Sequence, residues 1–241
     1  MLDGDIFNLN GEKIGSDGLD DKKVYLMYTF SSNSYSKDFS EMLIDGTGSP
    51  GSIIKEVDIT IDELNVRAFL ATLRNAENHG NGLLGYDSLF GVGTFKGKDS
   101  NKDGKISNKE KFADHPREAT TAWGTTSTAA GAYQFLESSW DKVAAKLSLS
   151  DFSGGNQDKG VLQLIRWQNS DNPRASGVIS DINSDNIMSA FIKLNGTWTS
   201  LPGGKEQGIT RTQAIQIFNS NRANELMGNS PLASPVGSLK L

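Results

Sequence analysis

Residues 62–82 read Asp-Glu-Leu-Asn-Val-Arg-Ala-Phe-Leu-Ala-Thr-Leu-Arg-Asn-Ala-Glu-Asn-His-Gly-Asn-Gly. Apolar residues recur at positions 66, 69, 70 and 73, which predicts a helix with one buried face and Asp62 as its N-cap. The Asn- and Gly-rich end predicts that the helix stops near Glu77. A carboxylate in a last helical turn faces the negative end of the helix dipole, which raises its proton affinity. Glu77 is therefore a candidate general acid.

Composition excludes several classes of protein. The 241 residues contain no cysteine and two histidines, with a net charge of −5. Disulfides, thiolate nucleophiles and cysteine zinc sites are therefore excluded, and a nucleic-acid binder is disfavoured. The sequence contains no run of eighteen apolar residues, so it predicts no membrane-spanning helix.

The remaining chain predicts an α+β, mainly α fold. Residues 1–60 are expected to form a β-rich N-terminal extension, with a hairpin at Asn10-Gly11, a strand over 23–30 and a loop over 47–52. This extension is too small to fold alone and should pack on the helical part of the chain, as a docking or structural element. Further helices are expected over 131–147, 156–167, 185–192 and 211–218, before a loosely held tail at the C-terminus.

An insertion at 96–111 contains the pattern of a calcium-binding EF-hand loop. It reads Asp-Ser-Asn-Lys-Asp-Gly-Lys-Ile-Ser-Asn-Lys-Glu over residues 99–110, with Ile106 expected to point into the core. No helix is predicted before the loop, and the sequence contains no second loop of this kind. We therefore expect Ca²⁺ to stabilise the structure rather than to trigger a conformational change. The alternative is a solvated loop that matches the pattern by chance. The expected ligands are Asp99, Asn101, Asp103, Lys105 through its carbonyl, Ser107 and Glu110.

Several segments together resemble the endolysin family of lambda-type phages, which are lytic transglycosylases with a lysozyme-like fold. They include Gly85-Tyr-Asp and Gly131-Ala-Tyr-Gln and lie in the family's order within 62–222. The insertion and the first 60 residues lie outside the resemblance, and Asn78 stands where the family has Gly. The full set of segments is 68–77, 85–87, 112–117, 130–136, 139–141, 151–153, 157–158 and 198–203.

The resemblance implies a small β-lobe beside a sugar cleft, with Glu77 as the catalytic acid. It places Tyr86 and Asp87 on the β-side of that cleft, and it makes 131–134 the opening of a helix that faces Glu77. Trp123 and Trp198 could each be a sugar platform or a core residue. The expected substrate-binding residues are Tyr86, Asp87, Gly131, Tyr133, Gln134 and Trp198.

The expected domains are the extension 1–60, a lysozyme-like domain 61–227 and a tail 228–241. The expected activity is cleavage of the bond between N-acetylmuramic acid and N-acetylglucosamine in the glycan strand of bacterial peptidoglycan, giving 1,6-anhydro products. The alternatives are a hydrolytic muramidase, in which a second carboxylate such as Asp87 positions water, a calcium-stabilised glycan-binding module without activity, and an unrelated calcium-binding adaptor. The first residues lack a signal-peptide pattern, so we expect delivery to the cell wall by a phage or a specialised secretion route. A secreted effector would also imply an immunity or inhibitor protein as partner.

Overall fold

The computed structural model describes residues 4–16, 22–29, 52–91, 93–206 and 208–241. Its first part forms a four-stranded sheet in the order β2-β1-β3-β4, with β1–β2 and β3–β4 antiparallel and β1–β3 parallel. The predicted hairpin and strand are confirmed, while residues 47–51 of the predicted loop lie outside the described ranges. The strands are β1 (Asp5–Phe7), β2 (Lys13–Ser16), β3 (Val24–Thr29) and β4 (Ser52–Val57).

The second part is mainly helical, and it confirms the α+β, mainly α class. A two-stranded hairpin, β5 (Thr120–Ala122) and β6 (Thr125–Ser127), lies among the helices. None of the helices in the described ranges is long and apolar enough to cross a membrane. The helices are α1 (Ile61–Glu77), α2 (Asn108–Lys111), α3 (Glu137–Leu147), α4 (Gly154–Asp171), α5 (Val178–Asn183), α6 (Ile187–Leu194) and α7 (Arg211–Leu226).

Helix α1 is the central element of the fold, because every residue from Glu63 to Ala76 is buried. It packs against α5 and α7. The N-cap lies two residues earlier than predicted: the side chain of Thr60, rather than Asp62, accepts the capping hydrogen bond from the backbone N–H of Glu63. The end of the helix at Glu77 is confirmed.

The N-terminal sheet packs directly on α1 and α7. Phe7, Val24 and Leu26 share a buried cluster with Leu64 and Leu226. Arg222 on α7 also donates to the carbonyl of Gly11 in the β1–β2 loop at 2.6 Å. The loop lies so close to α7 that a Cβ at Gly11 would be 2.1 Å from the carbonyl oxygen of Asn219. The sheet is thus joined to the helical part by a common core, as the sequence predicts, whereas the boundary at residue 60 stays a prediction.

Helix α3 begins at Glu137, six residues later than predicted. The reason is local: Gly131 and Gln134 have φ angles of +76° and +50°, which no helix accommodates. Ala130 and Phe135 instead pair as an isolated β-bridge. The expectation that Gly131 opens a helix is therefore wrong.

The segment 228–241 is irregular but firmly attached, so the prediction of a loosely held tail is wrong. Leu239 is fully buried, and backbone groups of this segment bind charged side chains on two helices. Ser234 N–H donates to Asp158 on α4 at 2.9 Å, and Gly237 N–H donates to Glu63 on α1 at 2.9 Å. Arg67 on α1 donates to the carbonyl oxygen of Ser234 at 3.0 Å.

Candidate active site

Glu77 is a half-buried carboxyl at the C-terminal end of α1. Burial raises its pKa to about 7; a hydrogen bond donated by the Ser200 hydroxyl to Oε1 acts against this rise, and the charge of Glu206 adds to it. The sequence predicts that the helix dipole raises the proton affinity of Glu77, whereas in the structure burial is the main cause of the raised pKa. A carboxyl with a pKa near 7 is matched to proton transfer at neutral pH.

The segment around Ser200, described over residues 199–206 and 208–209, holds both neighbours of Glu77. Glu206 N–H donates to the Thr199 carbonyl at 3.0 Å, and Ile209 N–H donates to the Ser200 carbonyl at 3.1 Å. A Cβ at Gly208 would lie 2.7 Å from the Ser200 carbonyl oxygen, so the turn closes tightly on Ser200. Sequence reasoning missed Ser200 and Glu206, because no short-range pattern connects them with a residue more than 120 positions earlier.

Tyr86 and Tyr133 belong to a buried network rather than to an open cleft. Asp158 Oδ1 accepts hydrogen bonds from the Tyr86 hydroxyl at 2.8 Å and from the Tyr133 hydroxyl at 2.6 Å. The guanidinium of Arg74, one turn before Glu77, lies 4.2 Å from the centre of the Tyr86 ring. Burial, followed by the charge of Asp158, raises the pKa of both phenols, so they remain neutral donors. The network fixes the segments of Tyr86 and Tyr133 against α1 and α4.

Two predicted sugar contacts are contradicted by burial. Tyr133 is 1% exposed and Trp198 is 4% exposed, and the Trp198 indole N–H donates to the Tyr133 carbonyl at 3.2 Å. Both aromatic side chains therefore pack in the core. Tyr86 is only partly buried, although its hydroxyl is committed to Asp158.

The remaining predicted substrate residues lie on two loops. A Cβ at Gly131 would lie 2.2 Å from Gln157 Oε1, so a glycine is needed here to make room for the Gln157 side chain. The predicted close approach of a glycan is therefore not the reason for a glycine at this position. Gln134 is partly exposed and donates to the Gly131 carbonyl at 3.0 Å. Asp87 forms an ion pair of 2.6 Å with Lys111 on α2. Their contact with substrate stays a prediction.

Residues 99–110 form a turn closed by their own side chains. Asp99 accepts from the backbone N–H groups of Asp103 and Gly104 at 3.2 and 2.9 Å, and Glu110 Oε1 accepts from Ser100 N–H at 3.0 Å. Gly104 has a φ of +79°, as the sharp turn of this pattern requires.

The loop supplies only oxygen ligands, which suit a hard cation. Hydrogen bonds from Ser107 lower the pKa of Glu110 and keep it ionised. Within the described ranges no group of three His, Cys, Asp or Glu side chains is arranged to hold a metal ion, so a site here would also need the Asn101, Lys105 and Ser107 oxygens. Ile106 is 43% exposed, so the prediction that it points into the core is wrong.

A partly buried carboxyl with a raised pKa at the end of a central helix is a candidate acid–base site of an enzyme. Comparison with known proteins agrees: the Endolysin family model matches residues 67–224. The Endolysin of Escherichia phage P2 is 32% identical over 149 residues, which is 58% of this chain and 80% of that protein.

The chain belongs to the Endolysin family and is a peptidoglycan-degrading enzyme. Among solved structures, a bacteriophage lambda lysozyme complexed with a chitohexasaccharide is 26% identical, with a TM-score of 0.49, over 70% of this chain and 97% of that chain. A second structure of lysozyme from bacteriophage lambda is 24% identical, with a TM-score of 0.47, over 74% of this chain and 99% of that chain.

Proposed function

We propose that this enzyme is a lytic transglycosylase that cleaves the β-1,4 bond between N-acetylmuramic acid and N-acetylglucosamine. The observation that carries the proposal is the half-buried Glu77, whose pKa is raised to about 7. Such a carboxyl is protonated for a large fraction of the time at neutral pH, yet it can also ionise, so one group can act first as acid and then as base.

The proposed reaction needs no second carboxylate. Glu77 donates its proton to the leaving glycosidic oxygen as the bond from that oxygen to C1 of the muramyl residue breaks. The Glu77 carboxylate then accepts the proton of the muramyl 6-hydroxyl as O6 bonds to C1. The products are a 1,6-anhydromuramyl end and a free 4-hydroxyl on N-acetylglucosamine. No water is consumed, and Glu77 is returned to its protonated form.

A hydrolytic muramidase is the second candidate, and the position of Glu206 favours it. This exposed carboxylate lies on the turn that surrounds Ser200, close enough for its charge to raise the pKa of Glu77. It could orient a water molecule for attack at C1 in place of the 6-hydroxyl. Both candidates require Glu77 as the acid and differ in the product.

The role of Glu77 is tested by digesting purified, insoluble peptidoglycan and measuring the soluble muropeptides released. Wild type is expected to release them, whereas Glu77→Gln should lose at least about a hundredfold in rate, because the amide cannot donate a catalytic proton. Glu118→Gln, which changes an exposed glutamate, is the matched control and should behave as wild type. Full activity of Glu77→Gln would exclude this residue as the acid.

The pH dependence of kcat/KM should shift in opposite directions when the two neighbours of Glu77 are changed. The acid must be protonated, so activity should fall as pH rises through the Glu77 pKa. The Ser200 hydrogen bond lowers that pKa and the Glu206 charge raises it. Ser200→Ala should therefore move the alkaline limb to higher pH, and Glu206→Gln should move it to lower pH, each by up to about one unit. Shifts in the same direction would contradict this assignment.

We also propose that residues 99–110 bind one Ca²⁺ ion as a structural ligand. The oxygen donors, the left-handed Gly104 and the ionised Glu110 support the proposal. The Asp87–Lys111 ion pair joins the end of this loop to the segment that follows α1. Calcium would thereby stabilise one side of the site without taking part in proton transfer.

Calcium should raise the melting temperature, because a ligand that binds only the folded state adds about 2.7 kcal/mol at a hundred times its Kd. Melting is measured by circular dichroism with excess Ca²⁺ and with excess EDTA. Wild type and Glu118→Gln should melt several degrees higher with Ca²⁺, and Glu110→Gln should lose most of that difference. Equal melting temperatures of wild type in the two buffers would count against a calcium site.

A further inference from the structure

Trp123 is exposed at the tip of the β5–β6 hairpin. It is 76% exposed, whereas Trp140 and Trp198 are 2% and 4% exposed and Trp167 is partly buried against the core. A large aromatic side chain in water is the exception in a folded protein, and a clustered exposed apolar surface often marks a binding site.

The turn that carries Trp123 is not one that tryptophan normally occupies. Trp123 and Gly124 connect β5 to β6 with φ angles of +48° and +76°. Two successive positive φ angles are typical of a type I′ turn, in which Asn-Gly is the preferred pair. A bulky residue in the left-handed region is uncommon, so local backbone preference does not explain the tryptophan.

The indole contacts the segment that directly follows the proposed catalytic acid. Its ring centre lies 6.4 Å from that of His79, which follows Glu77 by two residues, and 5.6 Å from that of Phe90. Both contacts are edge-to-face, at 72° and 90°, so neither ring stacks flat on the indole. A Cβ at Gly91 would lie 2.1 Å from Ala122 Cβ, which shows how closely the hairpin lies against the Phe90 segment. The aromatic rim, defined as His79, Phe90 and Trp123, thus joins the hairpin to the segment that follows Glu77.

We propose that Trp123 is a sugar-binding platform that stacks on the C–H face of an N-acetylhexosamine ring in the glycan strand. One face of a pyranose ring presents mainly C–H groups, which gain dispersion contacts with a flat aromatic ring. A protein partner fits less well, because a stable protein interface buries about 800 Å² per partner and one braced indole supplies a small part of that. The inference rests on the proposed function for its substrate class, and it adds a binding residue that the Tyr133 and Trp198 positions cannot supply.

The test separates binding from cleavage by using Glu77→Gln as the parent protein, so that the ligand survives. The probe is the soluble hexamer of N-acetylglucosamine, and Kd is measured by isothermal titration calorimetry. Trp123→Asn is the main variant, because Asn-Gly is the preferred type I′ pair and the hairpin should fold without the indole. Trp123→Phe keeps a flat ring, and Ile14→Ala removes an exposed apolar side chain on β2 as a matched control.

Trp123→Asn is expected to weaken hexamer binding at least tenfold, while Trp123→Phe and Ile14→Ala stay within threefold of the parent. In the active protein, Trp123→Asn should raise KM with a smaller change in kcat, and its melting temperature should not fall. Unchanged hexamer binding by Trp123→Asn would overturn the platform.

The two proposals fail separately. If wild type releases no muropeptides but Trp123→Asn still weakens hexamer binding, the result supports Trp123 as a sugar-binding residue and contradicts the proposed cleavage. If wild type cleaves peptidoglycan and all variants bind the hexamer equally, the result supports the proposed cleavage and contradicts a sugar-binding role for Trp123.

Discussion

Glu77→Gln is expected to raise the free energy of unfolding at pH 8 by up to about 3 kcal/mol, while it removes catalysis. The ordinary pKa of this carboxyl is 4.5, and burial in the folded protein raises the pKa to about 7. A pKa change of one corresponds to about 1.4 kcal/mol between the protonated and ionised forms. Gln can still accept the Ser200 hydrogen bond but carries no charge to desolvate. The partial exposure of Glu77 makes the figure an upper bound.

The sign of the pH dependence is given by linkage between proton binding and folding. Between pH 4.5 and about 7 the folded state binds more protons at Glu77 than the unfolded state does. The contribution of Glu77 to stability therefore falls as pH rises through that window and stays at its lower value above it. At pH 4 the carboxyl is mostly protonated in both states, so the substitution should have little effect.

Urea unfolding of wild type, Glu77→Gln and Glu118→Gln at pH 4, 6 and 8 measures this effect. The difference between Glu77→Gln and wild type should grow with pH, and the Glu118→Gln control should follow wild type. A Glu77→Gln variant that is equally stable or less stable than wild type at pH 8 would show that burial of the ionised Glu77 carboxylate does not destabilise the folded protein.

Deletion of residues 228–241 is expected to leave the protein unfolded at 25 °C. Backbone groups of this segment bind the buried charges of Glu63, Arg67 and Asp158. Each lost hydrogen bond to a buried charged group costs about 1.5–3 kcal/mol, and loss of the buried Leu239 side chain adds about 1.5–3 kcal/mol. The total reaches the whole stability of a typical domain, about 5–15 kcal/mol.

Circular dichroism and thermal melting of the deletion variant test this expectation. Ser238→Ala is the control, because it keeps the backbone contacts of the segment and removes only an exposed hydroxyl bonded to the Pro235 carbonyl. The control should melt as wild type. A deletion variant that melts cooperatively within a few degrees of wild type would contradict a structural role for the segment.

Helix α1 and the place of Glu77 could be predicted from the sequence, because both depend on neighbouring residues. Apolar spacing indicates the helix, and the Asn- and Gly-rich stretch after it indicates the end. Whether each aromatic side chain faces the core or the solvent could not be predicted from neighbouring residues. Tyr133 and Trp198 lie in segments that the resemblance to the family predicts to line the cleft, but both face the core, while Trp123 lies in a polar stretch of small residues and is exposed.

The contacts that sequence reasoning missed are nonlocal. Ser200 and Glu206 lie more than 120 positions after Glu77, and the C-terminal segment contacts Glu63 across more than 170 positions. The Gly, Ser and Pro content of that segment is typical of a loose tail, yet its backbone N–H and C=O groups are the partners of buried charges. Composition describes local preference, and it does not show which distant charge needs a partner.

Mass spectrometry of the muropeptides released by wild type tests the central claim most directly. Each product of a lytic transglycosylase ends in a 1,6-anhydromuramyl residue and is lighter by one water than the corresponding reducing product. We expect these anhydro products from wild type and Glu118→Gln and none from Glu77→Gln. Reducing products from wild type, lost in Glu77→Gln, would contradict the transglycosylase reaction and establish a hydrolytic muramidase that uses the same acid.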